Sequence, residues 1–231
     1  MLEAIIFDMD GVIVDTEYVD FQLQSQMIRS IAKNPERLTH SDFSSLVGRS
    51  YRDLVEAIKD LSQTDLSLEE IEERLEQVAE QKYFQMDYAK LFRKDMIQIL
   101  DFAKERGIKL AVASSSRKAH ILEVLQACGI ESYFDLVVSG EDFEISKPNP
   151  AIYQAVLESL GVAADQALAI EDSTYGILAA KRAGLTVLAY EEKRMLVDQS
   201  LADYQGRDML EIFKLIQIQY TNKNNSLALP S

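Results

Sequence analysis

The chain has 231 residues, 47% of them apolar and 27% charged, which is enough for one large domain or a core with a smaller unit attached. A formal charge of -14 repels phosphate backbones and excludes nucleic acid as a partner, while leaving room for a small anion at a locally basic or metal-bearing site. The single cysteine, Cys128, excludes an internal disulfide; no apolar run approaches the ~20 residues of a membrane span, and no basic segment precedes "MLEAIIFD", so a soluble cytoplasmic protein without a membrane partner is expected.

The first predicted element is the apolar run Ala4-Ile5-Ile6-Phe7, a buried strand that ends on Asp8 and is followed by Asp10 and Gly11. Two carboxylates this close repel each other, so water, a cation or a bound proton must offset them. From Glu17 to Tyr88 the apolar residues recur at helical spacing only: Phe21/Ile28/Ile31, Leu54/Val55/Ile58/Leu61 and Leu68/Ile71/Leu75/Val78. Ser67 with Glu70 three residues on predicts a capping box at the start of the last of these helices.

Beyond the insert the pattern alternates. Strands are expected at Ile108–Ser114, Asp135–Ser139, Ala167–Asp172 and Leu185–Tyr190, with helices over Arg117–Ala127, Asn149–Leu160 and Thr174–Ala183. Gly161 and Gly184 stand where a helix stops. Such alternation predicts right-handed βαβ units and a mostly parallel sheet covered on both faces. The expected organisation is an α/β core over 1–16 and 89–219, a helical insert over 17–88 and a frayed tail over 220–231.

Ligands bind such sheets outside the carboxyl ends of the strands. That edge collects Asp8 and Asp10, then Ser114 with Ser115 and Ser116, then Lys147 from "SKPNP", and finally Glu171 and Asp172. Any one of these is an ordinary turn or capping residue; together they are complementary. Asp8 and Asp172, with Glu171 and the Asp10 carbonyl, suit Mg²⁺, a hard cation that takes oxygen ligands. Ser114, the amides of Ser115 and Ser116 at an expected helix start, and Lys147 suit the oxygens of a phosphoryl group. Asp8 is then placed to attack phosphorus as a carboxylate, and Asp10 to protonate the leaving alkoxide and later deprotonate water. His40 and His120 fit no metal or triad pattern.

The segments "DMDGVIVDT", "ASSS", "SKPNP" and "IEDSTYGILAAKRAG", in that order, resemble the four motifs of the haloacid dehalogenase superfamily, over about Leu2 to Asp208. The resemblance implies a Rossmannoid parallel-sheet core and a helical cap closing over the site. The pair Asp8/Asp10 implies phosphoryl transfer, since the dehalogenase and phosphonate-cleaving branches lack the second acid. The sequence is most similar to the β-phosphoglucomutase-like group, with departures from the mutase pattern. Gly48-Arg49-Ser50-Tyr51 replaces the mutase's Gly-Val-Ser-Arg loop, Asp20 lies near the place of a histidine, and Ala79 falls where the mutase has a cap lysine, Lys82 being the nearest. Gly48, Arg49 and Arg52 are the expected substrate contacts of the cap. The expected activity is that of a Mg²⁺-dependent phosphatase of a small phosphorylated metabolite, a sugar phosphate first. A phosphosugar mutase is the alternative. A phospho-acceptor signalling module is a third reading, opposed by the large insert and by Asp10, which would hasten loss of the phosphate.

Overall fold

The computed structural model describes residues 1–49 and 51–225. Ser50 of the expected substrate loop, the side chain of Lys82 and the stretch 226–231 of the expected tail lie outside the described residues. The main body is a six-stranded sheet formed by β1 (Ala4–Phe7), β2 (Lys109–Ser114), β3 (Leu136–Ser139), β4 (Ala167–Glu171), β5 (Thr186–Tyr190) and β6 (Tyr204–Gly206). The order is β3-β2-β1-β4-β5-β6 and every pairing is parallel. β1 and β4 are buried along their whole length, as strands covered on both faces must be. Ile5 and Phe7 point into one apolar layer, Ala4 and Ile6 into the other.

The helices in chain order are α1 (Glu17–Ile31), α2 (His40–Ser44), α3 (Tyr51–Ser62), α4 (Leu68–Gln85), α5 (Tyr88–Leu91), α6 (Ile97–Glu105), α7 (Lys118–Ala127), α8 (Ala151–Leu160), α9 (Thr174–Arg182) and α10 (Met209–Asn225). α1 to α4 form the insert around a core of their own, with Phe21, Ile28, Phe43, Val55, Ile58 and Ile71 at its centre. One member of that core comes from elsewhere: Met195, in the loop after β5, is 3% exposed and packs among the insert's residues. The capping box at Ser67 is present, with Ser67 N donating to Glu70 Oε2 at 2.7 Å and Glu70 N to Ser67 Oγ at 3.2 Å. α8 ends at Gly161 in the left-handed conformation, φ 64°.

Four features differ from the sequence expectation. β6 and α6 were not anticipated. α10 runs to Asn225, through the first residues of the expected tail. It is held by buried Ile212 and Ile216, and by Phe213 and Tyr220, whose rings meet Phe102 edge-on at 5.4 and 5.5 Å. The expected end of the insert at residue 88 also shifts: Tyr88 packs in the main core, its ring 5.5 Å from that of His120. The two connections into and out of the insert run side by side. Val14 pairs antiparallel with Phe92, and Asp15 N donates to Leu91 O at 2.9 Å.

Candidate active site

Strand register builds the site. β1 lies between β2 and β4, with Phe7 opposite Val112 on one side and Ile170 on the other. Asp8, Ser114 and Glu171 therefore emerge together at the carboxyl edge, where the strand order reverses. Lys147 reaches in from the loop before α8. Its Nζ donates to Asp8 Oδ1 at 2.7 Å, Glu171 Oε1 at 2.7 Å and Ala113 O at 3.0 Å. Tyr153 of α8, fully buried, donates its hydroxyl to the same Glu171 oxygen at 2.5 Å. The other oxygen accepts from Asp172 N and Ser173 Oγ, both at 3.3 Å. A Cβ at Gly176 would lie 2.1 Å from the Glu171 carboxylate, so only glycine fits there.

The charges explain each other. Burial would lower the pKa of Lys147, but the carboxylates of Asp8 and Glu171 outweigh it and hold the ammonium charged well above its ordinary range. Burial pushes Asp8 up to about 7, and Lys147 offsets this only in part. Asp172 is likewise raised well above the usual carboxylate range, by burial first and then by the carboxylates of Glu17 and Asp8. Two buried acids that resist ionisation are short of positive charge. Asp8, Glu171 and Asp172 offer oxygens within 4.8 Å of one another, an all-carboxylate donor set that suits a divalent cation. The backbone makes room for the Asp172 carboxylate: Gly11 has φ +80°, and a Cβ there would lie 1.9 Å from Asp172 Oδ2. Because Glu171 already accepts four hydrogen bonds, Asp8 and Asp172 are the better placed of the three to hold a cation.

Asp10 stands apart from this cluster. Its Oδ1 accepts from Thr16 Oγ1 at 2.5 Å and its Oδ2 from Ser116 Oγ at 2.9 Å. Ser114 is buried and its Oγ accepts from Ser116 N at 3.1 Å. α7 opens only at Lys118, with Arg117 as its N-cap, so Ser115 and Ser116 stand in the turn ahead of the helix rather than at its start as expected. Ser139, at the end of β3, fixes that turn by donating to Ser116 O at 2.7 Å.

A cavity of about 300 Å³ lies between this edge and the insert. The core side contributes Asp8, Asp10, the three serines, Lys147 and Asp172; the insert side contributes Glu17, Asp20, Gln24, Gly48, Arg49 and Tyr51. Gly48, at φ +76°, lets the loop pass the ring of Tyr175, which an added Cβ would approach to 3.2 Å. Arg49 lines the cavity while its Nε donates to Ser45 O at 2.9 Å. Arg52 does not reach the cavity. α3 turns it outward beside Glu56, its side chain 89% exposed, and presents Tyr51 and Leu54 instead.

Sequence pattern missed several of these residues. Thr16, at the N-cap position of α1, donates to Asp10 instead of making a capping bond. Tyr153 had only the spacing of a core residue. Arg93 and Arg194, which both bind Asp15 Oδ1 at 2.9 and 2.7 Å beside the connections to the insert, carried no local signal at all.

A parallel sheet with a buried acid–ammonium cluster at its switch point and a helical insert over it defines a capped α/β enzyme. The chain belongs to the haloacid dehalogenase-like hydrolases, whose family model matches residues 5–190. It is 34% identical over 186 residues to a phosphorylated carbohydrates phosphatase of Thermotoga maritima, covering 80% of this chain and 82% of that protein. It is 26% identical over 180 residues to a phosphoglycolate phosphatase of Agrobacterium fabrum, covering 78% and 76%. The fold is shared with a β-phosphoglucomutase from Clostridium difficile, with a TM-score of 0.79, 24% identity and coverage of 96% of this chain and 99% of that one.

Proposed function

We propose that the protein is a Mg²⁺-dependent phosphatase of a small phosphorylated metabolite, a sugar phosphate first, acting through an aspartyl-phosphate on Asp8. The observation that carries this reading is the division of labour between the two acids. Lys147 engages Asp8, whereas Asp10 is held on hydroxyls, facing the same cavity. Asp8 and Asp172, with Glu171 and the Asp10 carbonyl, would hold Mg²⁺, which when bound would supply the positive charge that keeps the two buried aspartates ionised and offsets charge on the phosphoryl oxygens. Asp8 forms the new bond to phosphorus as the bond to the leaving oxygen breaks. Ser114 and Ser115 hold the phosphoryl oxygens, Ser116 shapes the turn through its N–H bond to Ser114 Oγ, and Lys147 balances charge that builds there. Asp10 gives its proton to the leaving alkoxide. It then takes one from the water that cleaves the aspartyl-phosphate, so the proton account closes each turnover.

The insert formed by α1 to α4 serves as the cap that excludes water during the first step. A mutase needs cap cations for a second phosphate, and the insert side of this cavity sets Arg49 against Glu17 and Asp20, which favours hydrolysis. Among the described residues no helix is long and apolar enough to cross a membrane; the lone Cys128 and the acidic surface support a cytoplasmic enzyme without nucleic-acid partners. The test is continuous release of p-nitrophenol from p-nitrophenyl phosphate in Mg²⁺. EDTA should abolish it, Mg²⁺ should restore it, and Ca²⁺ should restore it poorly because its shell is larger and looser. Undiminished turnover in chelator would remove the metal from the proposal, and a single stoichiometric burst would indicate a phospho-acceptor rather than a phosphatase.

A further inference from the structure

α1 faces the cavity with one stripe, and the stripe is graded. Glu17, Asp20 and Gln24 follow at helical spacing near the catalytic edge, with Phe21 beside them and Ile28 one turn further on. Ser25 adds a buried hydroxyl oxygen with no hydrogen-bond partner on the same wall. On the insert side the cation lining the cavity, among the described residues, is Arg49. This wall of the cavity thus carries two carboxylates and an amide at the end nearest Asp172, where Glu17 is close enough to raise the Asp172 carboxyl, and apolar side chains further on.

Resting on the phosphatase reading, we propose that Glu17 and Asp20 are specificity-determining residues that select monophosphates of neutral, hydroxyl-bearing molecules and reject substrates carrying a second anion. Carboxylates and the Gln24 amide accept hydrogen bonds from hydroxyl groups of a leaving polyol, and Phe21 and Ile28 cover its apolar face. A second phosphate or a carboxylate on the substrate would instead meet two like charges across a narrow, partly desolvated cavity, an arrangement that discriminates by repulsion. The cavity's size, about 300 Å³, fits a phosphorylated molecule of a few carbons up to a hexose.

Acidic residues in the first turn of a helix also stabilise it through the helix dipole, so the test must separate the two roles. Wild type, Asp20→Asn, Glu17→Gln and the double variant are assayed in Mg²⁺ on two panels. One holds glycerol 3-phosphate, ribose 5-phosphate and glucose 6-phosphate; the other holds 2-phosphoglycolate, 3-phosphoglycerate and fructose 1,6-bisphosphate. p-Nitrophenyl phosphate reports the chemistry itself. For wild type, kcat/KM for the best neutral monophosphate should exceed that of the best doubly anionic compound by about tenfold or more, and the double variant should narrow that ratio by about tenfold. A purely structural role would lower Tm and scale both panels together, leaving the ratio unchanged, and that result overturns the proposal. So does wild-type preference for the doubly anionic panel, or rejection of every neutral monophosphate, while p-nitrophenyl phosphate is still hydrolysed; the phosphatase reading then stands without this inference. Failure to hydrolyse p-nitrophenyl phosphate removes both.

Discussion

Replacing Asp8 by asparagine should bring activity to background, because an amide does not attack phosphorus usefully and Lys147 loses one of its two carboxylate partners. Asp10→Asn keeps the shape and should cost roughly 10²- to 10⁴-fold on a sugar phosphate, the range of general acid–base catalysis. An acidic phenol leaves without help, so the same variant should hydrolyse p-nitrophenyl phosphate by a first step that is slowed less, and phosphoenzyme should accumulate. Acid-quenched mass spectrometry should find one added phosphate on the peptide containing Asp8. Asp8 also sets a pH dependence. In the cation-free protein its pKa is raised from 3.8 to about 7, so the folded state holds a proton that the unfolded chain releases. The stability this lends is full below about pH 4 and is lost as pH rises through about 7. Thermal melts in EDTA should therefore show lower stability at pH 8 than at pH 5, with Mg²⁺ restoring more at pH 8. At this scale the sequence was informative about which side chains meet at the sheet edge: Asp8, Ser114 and Asp172 follow from strand ends, and Lys147 from the "SKPNP" loop before α8. It was silent on Thr16 and Tyr153, whose partners, Asp10 and Glu171, become neighbours only after folding.

Among the elements, the loop from Glu191 to Gln199 does the most connecting. Its Arg194 binds Asp15 at the entry to the insert and lies over the ring of Tyr18, 4.6 Å from its centroid. Its Leu196 N donates to Ser44 Oγ at 3.0 Å, and Gln199 Nε2 to the carbonyl of Asp172 at 2.6 Å. Met195→Ala should cost about 2–5 kcal/mol, the usual loss for emptying a buried methionine site, and should appear as a lower midpoint in urea with fluorescence of the insert's tyrosines changing in the same transition. This loop has no hydrophobic period, so no pattern reading could place it. The same limit explains β6, whose three residues are too few to show alternation, and the end of α10, where polar residues hid the packing of Ile216 and Tyr220. Long apolar-periodic segments, by contrast, came within a residue or two of their observed bounds, as β2 and α7 show.

For the molecule as a whole, the α/β class and the inserted helices were legible because the apolar pattern turns purely helical between Glu17 and Tyr88 and alternates between strand and helix spacing after it. The relation between the two parts was not legible, because it rests on charges far apart in sequence. Arg93 and Arg194 converge on Asp15, and Arg93 also donates to Gly11 O at 3.0 Å and stacks 3.9 Å from the centroid of Tyr190. Both connections to the insert thus pass through one cationic clamp, which suits a hinge. Small-angle scattering should show a smaller radius of gyration when orthovanadate and Mg²⁺ are added. Arg194→Ala should widen the difference between the free and bound values. An unchanged radius in the wild type would mean that the insert does not move.

Met195 carries a consequence for how such a protein can be divided. The insert is continuous in sequence, yet its interior is completed by a residue that enters more than a hundred positions later. It is therefore not an exchangeable module. A chimera that swaps residues 17–88 for the corresponding segment of a relative would set this methionine against a foreign socket, and the excised segment alone would expose an unfilled apolar seat. A transplant that keeps its native packing has to carry two pieces of chain, the helices themselves and the strap from Glu191 to Gln199.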